Sequence, residues 1–173
     1  MSIKLIQTKN EINLSSNIFK PKEAPKNYVN KKLNDGKKGS PTSIWYNPQN
    51  GKINVDYDKA TGVYTLSGNT DSIFINGAEN GSKLIVKDGK NVQFNSKGGK
   101  NNLVFDNCMG TKAYGNRGID NFTYIDGRDN INYNMNIKED TVINKSQSFE
   151  LFSPNTWFSS RSENLKTYVN DGF

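Results

Sequence analysis

A chain of 173 residues is long enough to bury a core, yet only 33% of it is hydrophobic. The absence of histidine excludes imidazole catalysis and imidazole metal ligation, and the lone Cys108 excludes an internal disulfide or a thiolate zinc site. The net charge of +6 belongs to the first 40 residues, where nine lysines face Glu11, Glu23 and Asp35; the remainder is balanced.

Residues 1–43 form a lysine-rich arm without sustained periodicity, and the stretch from Asp35 to Pro41 has linker composition. The arm has no arginine and few aromatic residues beyond Phe19 and Tyr28, so a solvated arm is expected and no nucleic-acid partner. Ile3, Leu5 and Ile6, then Ile12, Leu14 and Ile18, are candidate short strands or a cap for the first period of a repeat that begins at residue 44. No apolar run reaches the roughly 18 residues of a membrane span, and the N-terminus lacks the apolar region of a cleaved Sec-type signal.

Residues 44–151 repeat with a period of about 19 residues, two short strands to each period. The apolar pairs of the first strand are Ile53/Val55, Ile73/Ile75, Val92/Phe94, Lys112/Tyr114, Ile131/Tyr133 and Phe149/Leu151. Those of the second are Ile44/Tyr46, Tyr64/Leu66, Leu84/Val86, Leu103/Phe105, Phe122/Tyr124 and Thr141/Ile143. Such self-similarity predicts an all-β, right-handed parallel β-solenoid of about six coils, in which each coil buries its apolar face by stacking on its neighbours. A narrow two-sheet coil needs few inward side chains, which reconciles order with the polar composition. The 27 asparagines suit its turns, because Asn tolerates left-handed backbone and can form ladders between coils. The long turns open with Asp56, Asn76, Asn95, Gly115 and Asn134, a column expected to be such a ladder.

The outward positions differ between the two strands. On the first they are Asn54, Phe74, Gln93, Ala113, Asn132 and Glu150; on the second, Trp45, Thr65, Ile85, Val104, Thr123 and Val142. The second row is β-branched or aromatic throughout and carries no charge, which marks it as a binding face or a surface covered by the chain's own ends. Residues 152–173 leave the repeat with Phe152, Trp157, Phe158 and Phe173, and Leu165, Tyr168 and Val169 follow helical spacing, so a capping segment with a short helix is expected.

Gly118-Ile-Asp120-Asn-Phe122 and Gly127-Arg-Asp129-Asn-Ile131 share the pattern Gly-x-Asp-x-apolar at a spacing of nine, and Gly68-Asn-Thr-Asp71-Ser-Ile73 is a looser copy. This resembles the nonapeptide of RTX, or haemolysin-type, β-roll proteins. The resemblance implies a β-roll with Ca²⁺ between successive turns and Asp120 and Asp129 among its ligands. Aspartate does not recur along these columns: Ser82, Asn101 and Glu139 stand beside Asp120, and Lys90 beside Asp129. The residues themselves favour hydrogen-bonded turns with no cofactor. Filamentous-haemagglutinin-type β-helices use coils of this length too, and the chain also resembles them.

No nucleophile–base pair or phosphate loop stands out, so no enzyme is expected; Asp120, Glu139 and Asp140 are the carboxylates placed for acid–base work on a glycan. The function expected is a non-catalytic binding module of a bacterial exported protein: an adhesin, toxin accessory or translocated effector. It would be secreted or translocated without a cleaved Sec-type signal. Its partner would be a protein or glycan surface, with homo-oligomerisation through the uncharged face as a further use. The alternatives are a calcium-dependent RTX-type secretion module and a carbohydrate-active β-helix enzyme.

Overall fold

The computed structural model describes residues 2–5, 23–33, 39–41, 43–115, 118–135, 139–152 and 168–170. The sheet-end strands at 2–5, 148–152 and 168–170 are described by backbone pairing alone. In chain order the strands are β1 (Ser2–Leu5), β2 (Val29–Lys32), β3 (Ser43–Tyr46), β4 (Ile53–Asp58), β5 (Val63–Gly68), β6 (Phe74–Asn76), β7 (Lys83–Lys87) and β8 (Gln93–Asn95). They continue with β9 (Lys100–Asp106), β10 (Lys112–Tyr114), β11 (Ile119–Ile125), β12 (Asn130–Tyr133), β13 (Thr141–Lys145), β14 (Ser148–Phe152) and β15 (Tyr168–Asn170). One sheet runs β1-β14-β12-β10-β8-β6-β3-β2 and the other β15-β13-β11-β9-β7-β5-β4. From β5 and β6 onward the strands stack in parallel and alternate between the sheets, a β-solenoid of about four turns.

The first period of the repeat does not make a coil. Ile44/Tyr46 and Ile53/Val55 lie in each other's expected sheets: β3 pairs antiparallel with β6, and β4 antiparallel with β5. The cause is local. The stretch from Asp56 to Val63, expected to cross between sheets, is a hairpin in which the Asp58 carboxylate accepts from the Ala60 N–H (2.9 Å) and the Thr61 hydroxyl (2.7 Å). The Gly62 N–H closes onto the Asp58 carbonyl (2.8 Å) with Gly62 at φ 73°. The crossing is made earlier, at a single 3₁₀ turn, Pro48–Asn50, whose N-terminus is capped by the Asn47 side chain. β2 then lies outside β3, an exposed edge strand bearing Lys31 and Lys32. Lysines on an edge discourage further strand addition.

The chain's two ends meet at the other end of the solenoid. β1 pairs with β14, so Ile3 and Leu5 extend the last coil and not the first. Tyr168 and Val169, expected on a helix, belong to β15, which adds to β13. Trp157, Phe158 and Leu165 lie outside the described residues.

Register corrects two further assignments. In the shorter-stranded sheet the in-line partners are Ile75, Phe94, Ala113 and Asn132, all buried, and beside them Phe74, Gln93, Lys112 and Ile131. The inner residues therefore step by 19 through Ile73, Val92, Thr111 and Asn130, and Lys112 and Ile131 point outward. A one-residue slip moves every side chain to the opposite face. Of the polar residues at these inward positions, Asn130 and Asn132 are satisfied by neighbours, while the buried Thr111 Oγ1 has no hydrogen-bond partner among the described residues. The Tyr124 hydroxyl donates to Asn132 Oδ1 (2.9 Å), Asn130 Oδ1 accepts from the Thr111 N–H (3.1 Å), and Asn130 Nδ2 donates to the Cys108 carbonyl (3.2 Å). In the other sheet the turn after β12 is one residue longer, so Val142 aligns with Phe122 inside the core, and Ile143 aligns with Thr123 outside. The core itself is a stack of rings and aliphatics in which Phe105 lies 5.3 Å from Tyr124, and Phe94 meets Phe122 edge-on at 6.0 Å.

The register predicts opposite outcomes for adjacent residues. Val142, 3% exposed, has no room for a charge, so Val142→Lys is expected to cost several kcal/mol or to unfold the protein. Ile143→Lys is expected to shift stability by about 1 kcal/mol or less. Thermal unfolding of both variants by circular dichroism checks this.

Candidate binding face

The outer surface of the longer-stranded sheet carries Thr65, Ile85, Val104, Thr123 and Ile143 in one in-register row across five parallel strands. At the usual strand spacing this row is roughly 19 Å long. Each member is half-buried against its neighbours along the row. The flanking row Lys83, Asn102, Asn121 and Thr141 is polar, with Asn121 Nδ2 donating to Asn102 Oδ1 (2.9 Å). The row on the other flank is Lys87, Asp106, Ile125 and Lys145, charged except at Ile125. Among the described residues the extensive contacts between elements join neighbours within a sheet, and no strand is laid across this face.

Of the six residues predicted to form the face, Thr65, Ile85, Val104 and Thr123 stand together. Val142 is in the core, and Ile143 takes its place. Trp45 is on β3 in the opposite sheet, paired with Asn30 and Phe74. Both departures arise where the chain changes its period, at the hairpin of Asp58 and at the extra residue after β12.

The predicted metal ligands are not brought together. Asp120 is the second residue of β11, and Asp129 lies in the turn beyond the strand's other end, so roughly 16 Å or more of strand separates them. Asp120 is buried, whereas the Asp129 side chain is 72% exposed and lies 3.7 Å from Arg128 Nε, a solvated pair of little energetic weight. The Asp129 column also differs from expectation. Lys90 is bridged to Met109, and Met109 to Arg128, while Asp129 continues the left-handed turn residues Ser72, Asn91 and Gly110, with φ between 54° and 67°. The two motif glycines have a steric role. Gly118 (φ 91°) and Gly127 (φ 70°) pass so close to the previous coil that a Cβ would overlap the carbonyls of Gly99 and Cys108 respectively. The two glycines of the Gly-x-Asp pattern are thus accounted for by coil stacking.

On the opposite turn side, Ser82, Asn101, Asp120 and Asp140 form a buried column. The side chain of a later coil accepts from the backbone of the one before: Ser82 N–H donates to Asn101 Oδ1 (2.8 Å) and Asp120 N–H to Asp140 Oδ1 (2.8 Å). Asn101 Nδ2 donates to Asp120 Oδ1 (2.7 Å). Asp140, and not Glu139, is therefore the residue stacked on Asp120; Glu139 is exposed. Burial, and then the neighbouring Asp140, push the Asp120 carboxyl up to about 7, while the Asn101 amide and the Ser96 hydroxyl pull it down. The long-turn ladder expected at Asn76 and Asn95 is present, Asn95 Nδ2 donating to Asn76 Oδ1 (3.3 Å). Cys108 is buried and its thiol is pushed up to about 12 by loss of solvation, which leaves it unreactive.

One contact has no counterpart among the sequence expectations. The Tyr28 hydroxyl donates to the Ser72 carbonyl (2.8 Å) and its ring meets Phe74 edge-on at 5.7 Å, fixing the arm against the shorter-stranded sheet. A groove of about 340 Å³ runs beside it, lined by Pro25, Phe74, Gln93 and Lys112 among others. Its one signal in the sequence is a tyrosine isolated in a lysine-rich arm. No protein-family model, curated protein or solved structure matches the chain.

Because Gly127 needs both positive φ and the absence of a Cβ, Gly127→Ala is expected to destabilise the protein by about 1–3 kcal/mol or more. Calorimetry should show a lower Tm for this variant than for the wild type.

Proposed function

We propose that the chain is a non-catalytic binding module of a bacterial exported protein, engaging a protein or glycan surface through the outer face of the longer-stranded sheet. The observation that carries this reading is the uncharged row Thr65, Ile85, Val104, Thr123 and Ile143, repeated at one strand position in five consecutive strands. A row of β-branched side chains on a stiff parallel sheet loses little conformational entropy on contact. The polar rows on either side supply a rim of the kind that surrounds an apolar contact. Export as an adhesin, toxin accessory or translocated effector is supported by the repeat architecture's resemblance to RTX β-rolls and haemagglutinin-type helices. The non-catalytic reading is supported by the burial of Asp120 and Asp140, which leaves a substrate no access to the pair.

Val104→Lys tests this face. It is expected to abolish self-association in light scattering, or binding on glycan and protein arrays, while leaving Tm nearly unchanged. A large loss of Tm would show that the face is covered by the chain itself. The calcium-dependent reading predicts a fall in Tm and in the strand signal on chelation; the binding reading predicts neither.

A further inference from the structure

Asp120 and Asp140 come from successive coils and are 0% and 5% exposed. Asp120 Oδ1 is held by the Asn101 amide, but Asp120 Oδ2 has no hydrogen-bond partner among the described residues. It faces the backbone of Gly115, where a Cβ would come within 3.0 Å of that oxygen and 2.9 Å of Met135 Sδ. An ionised oxygen in that position has given up water and gained no cation, with the Ser96 hydroxyl the donor near it.

Among the described residues no cation is placed against Asp120. From β9 the neighbour in register is the neutral Asn101, and from the turn before β9 it is the hydroxyl of Ser96. From β13 it is Asp140, a second carboxylate. On the side of β10 and β12 stand Gly115 and Met135, with the buried phenols Tyr114 and Tyr133 next to them; the Tyr114 hydroxyl is pushed up to about 12 and stays neutral. Lys100 and Glu139 of the same turns are exposed, Lys97 is at the turn surface, and Arg117 and Lys138 lie outside the described residues.

We propose that the folded solenoid carries Asp120 as the neutral acid, and that loss of this proton sets two stacked carboxylates against each other and loosens the C-terminal coils. The module then responds to protons, tight in acid and looser above neutral pH. With one proton on Asp120 the repulsion between the two carboxyls is relieved, and Asp140 Oδ1 remains the acceptor for the Asp120 N–H. Without it, repulsion acts across the β11–β13 pairing, on the strand to which β15 is attached. The upward displacement of Asp120 sets the sign. The unfolded chain releases the proton near 3.8 and the folded chain near 7, so stability is greatest in acid, falls as pH rises between those values, and is level above them.

Carboxyl-carbon NMR titration of the full chain reads the proton directly, with Tm measured at pH 5 and pH 8 for the wild type and Asp120→Asn. The expected results are an Asp120 titration near neutral pH and a Tm that falls by several degrees more in the wild type than in Asp120→Asn. Amide protection factors, corrected for intrinsic exchange, should drop in β13 above neutral pH and hold in β7. An Asp120 titration near 4, or parallel Tm profiles for the two proteins, overturns the proposal. Should Asp120→Asn fail to fold, Asp140→Asn removes the opposing charge and must lower the Asp120 midpoint; an unchanged midpoint overturns it equally.

Discussion

Hydrogen bonding between the backbones of successive coils continues through the turns as well as the strands. The Asp88 N–H reaches the Asp106 carbonyl (2.9 Å), Asn107 N–H the Ile125 carbonyl (2.7 Å), Met109 N–H the Gly89 carbonyl (2.9 Å) and Arg128 N–H the Cys108 carbonyl (3.2 Å). Turns that must stack at strand spacing need left-handed residues at fixed positions and no side chain where one backbone passes another. Asp88, Asn107 and Asp126 accordingly occupy one such column, with φ between 53° and 55°. This constraint explains a composition that otherwise looks disordered: asparagine, glycine and aspartate are selected by turn geometry, and the core needs only the few inward residues of each coil.

The same stacking makes the ends the difficult part of the fold. At one end the chain reverses, so antiparallel β3 and β4 replace what would have been another coil, and β2 presents lysines to solvent. At the other end β1 and β15 arrive from opposite ends of the sequence to complete the two sheets. A repeat array thus acquires closure from segments that do not share its repeat.

Chemistry is distributed unevenly over this scaffold. The outer face of the longer-stranded sheet is neutral and β-branched, suited to contact. The buried turn column holds Asp120, a strongly displaced carboxylate suited to sensing protons and closed to substrates. The motif glycines and Asp129, which look like metal-site signals, serve the left-handed turns. The proposed binding surface and the proposed proton-responsive column occupy separate positions of the same 19-residue period.

The period, the two strands per coil and the inward identity of Leu84, Val86, Leu103, Phe105, Phe122 and Tyr124 were all legible in the sequence, because parallel in-register stacking imposes a constant step and an alternation of two on local residues. Thr65, Ile85, Val104 and Thr123 came from the same alternation. Faces became illegible where apolarity and register part company. Asn130 and Asn132 are inward because Tyr124, Thr111 and Cys108 supply hydrogen-bond partners from other strands, and Ile131 is outward in consequence. Val142 moved inside because one extra residue in a turn shifts the parity of everything after it. The pairing of Asp120 with Asp140, and the sheet to which β3 and β4 belong, depend on which backbone lies beside which. That coils stack is written in the local pattern of residues; which residues meet across them is not, since partners 19 or 20 residues apart are chosen by turn length and hydrogen bonding between coils.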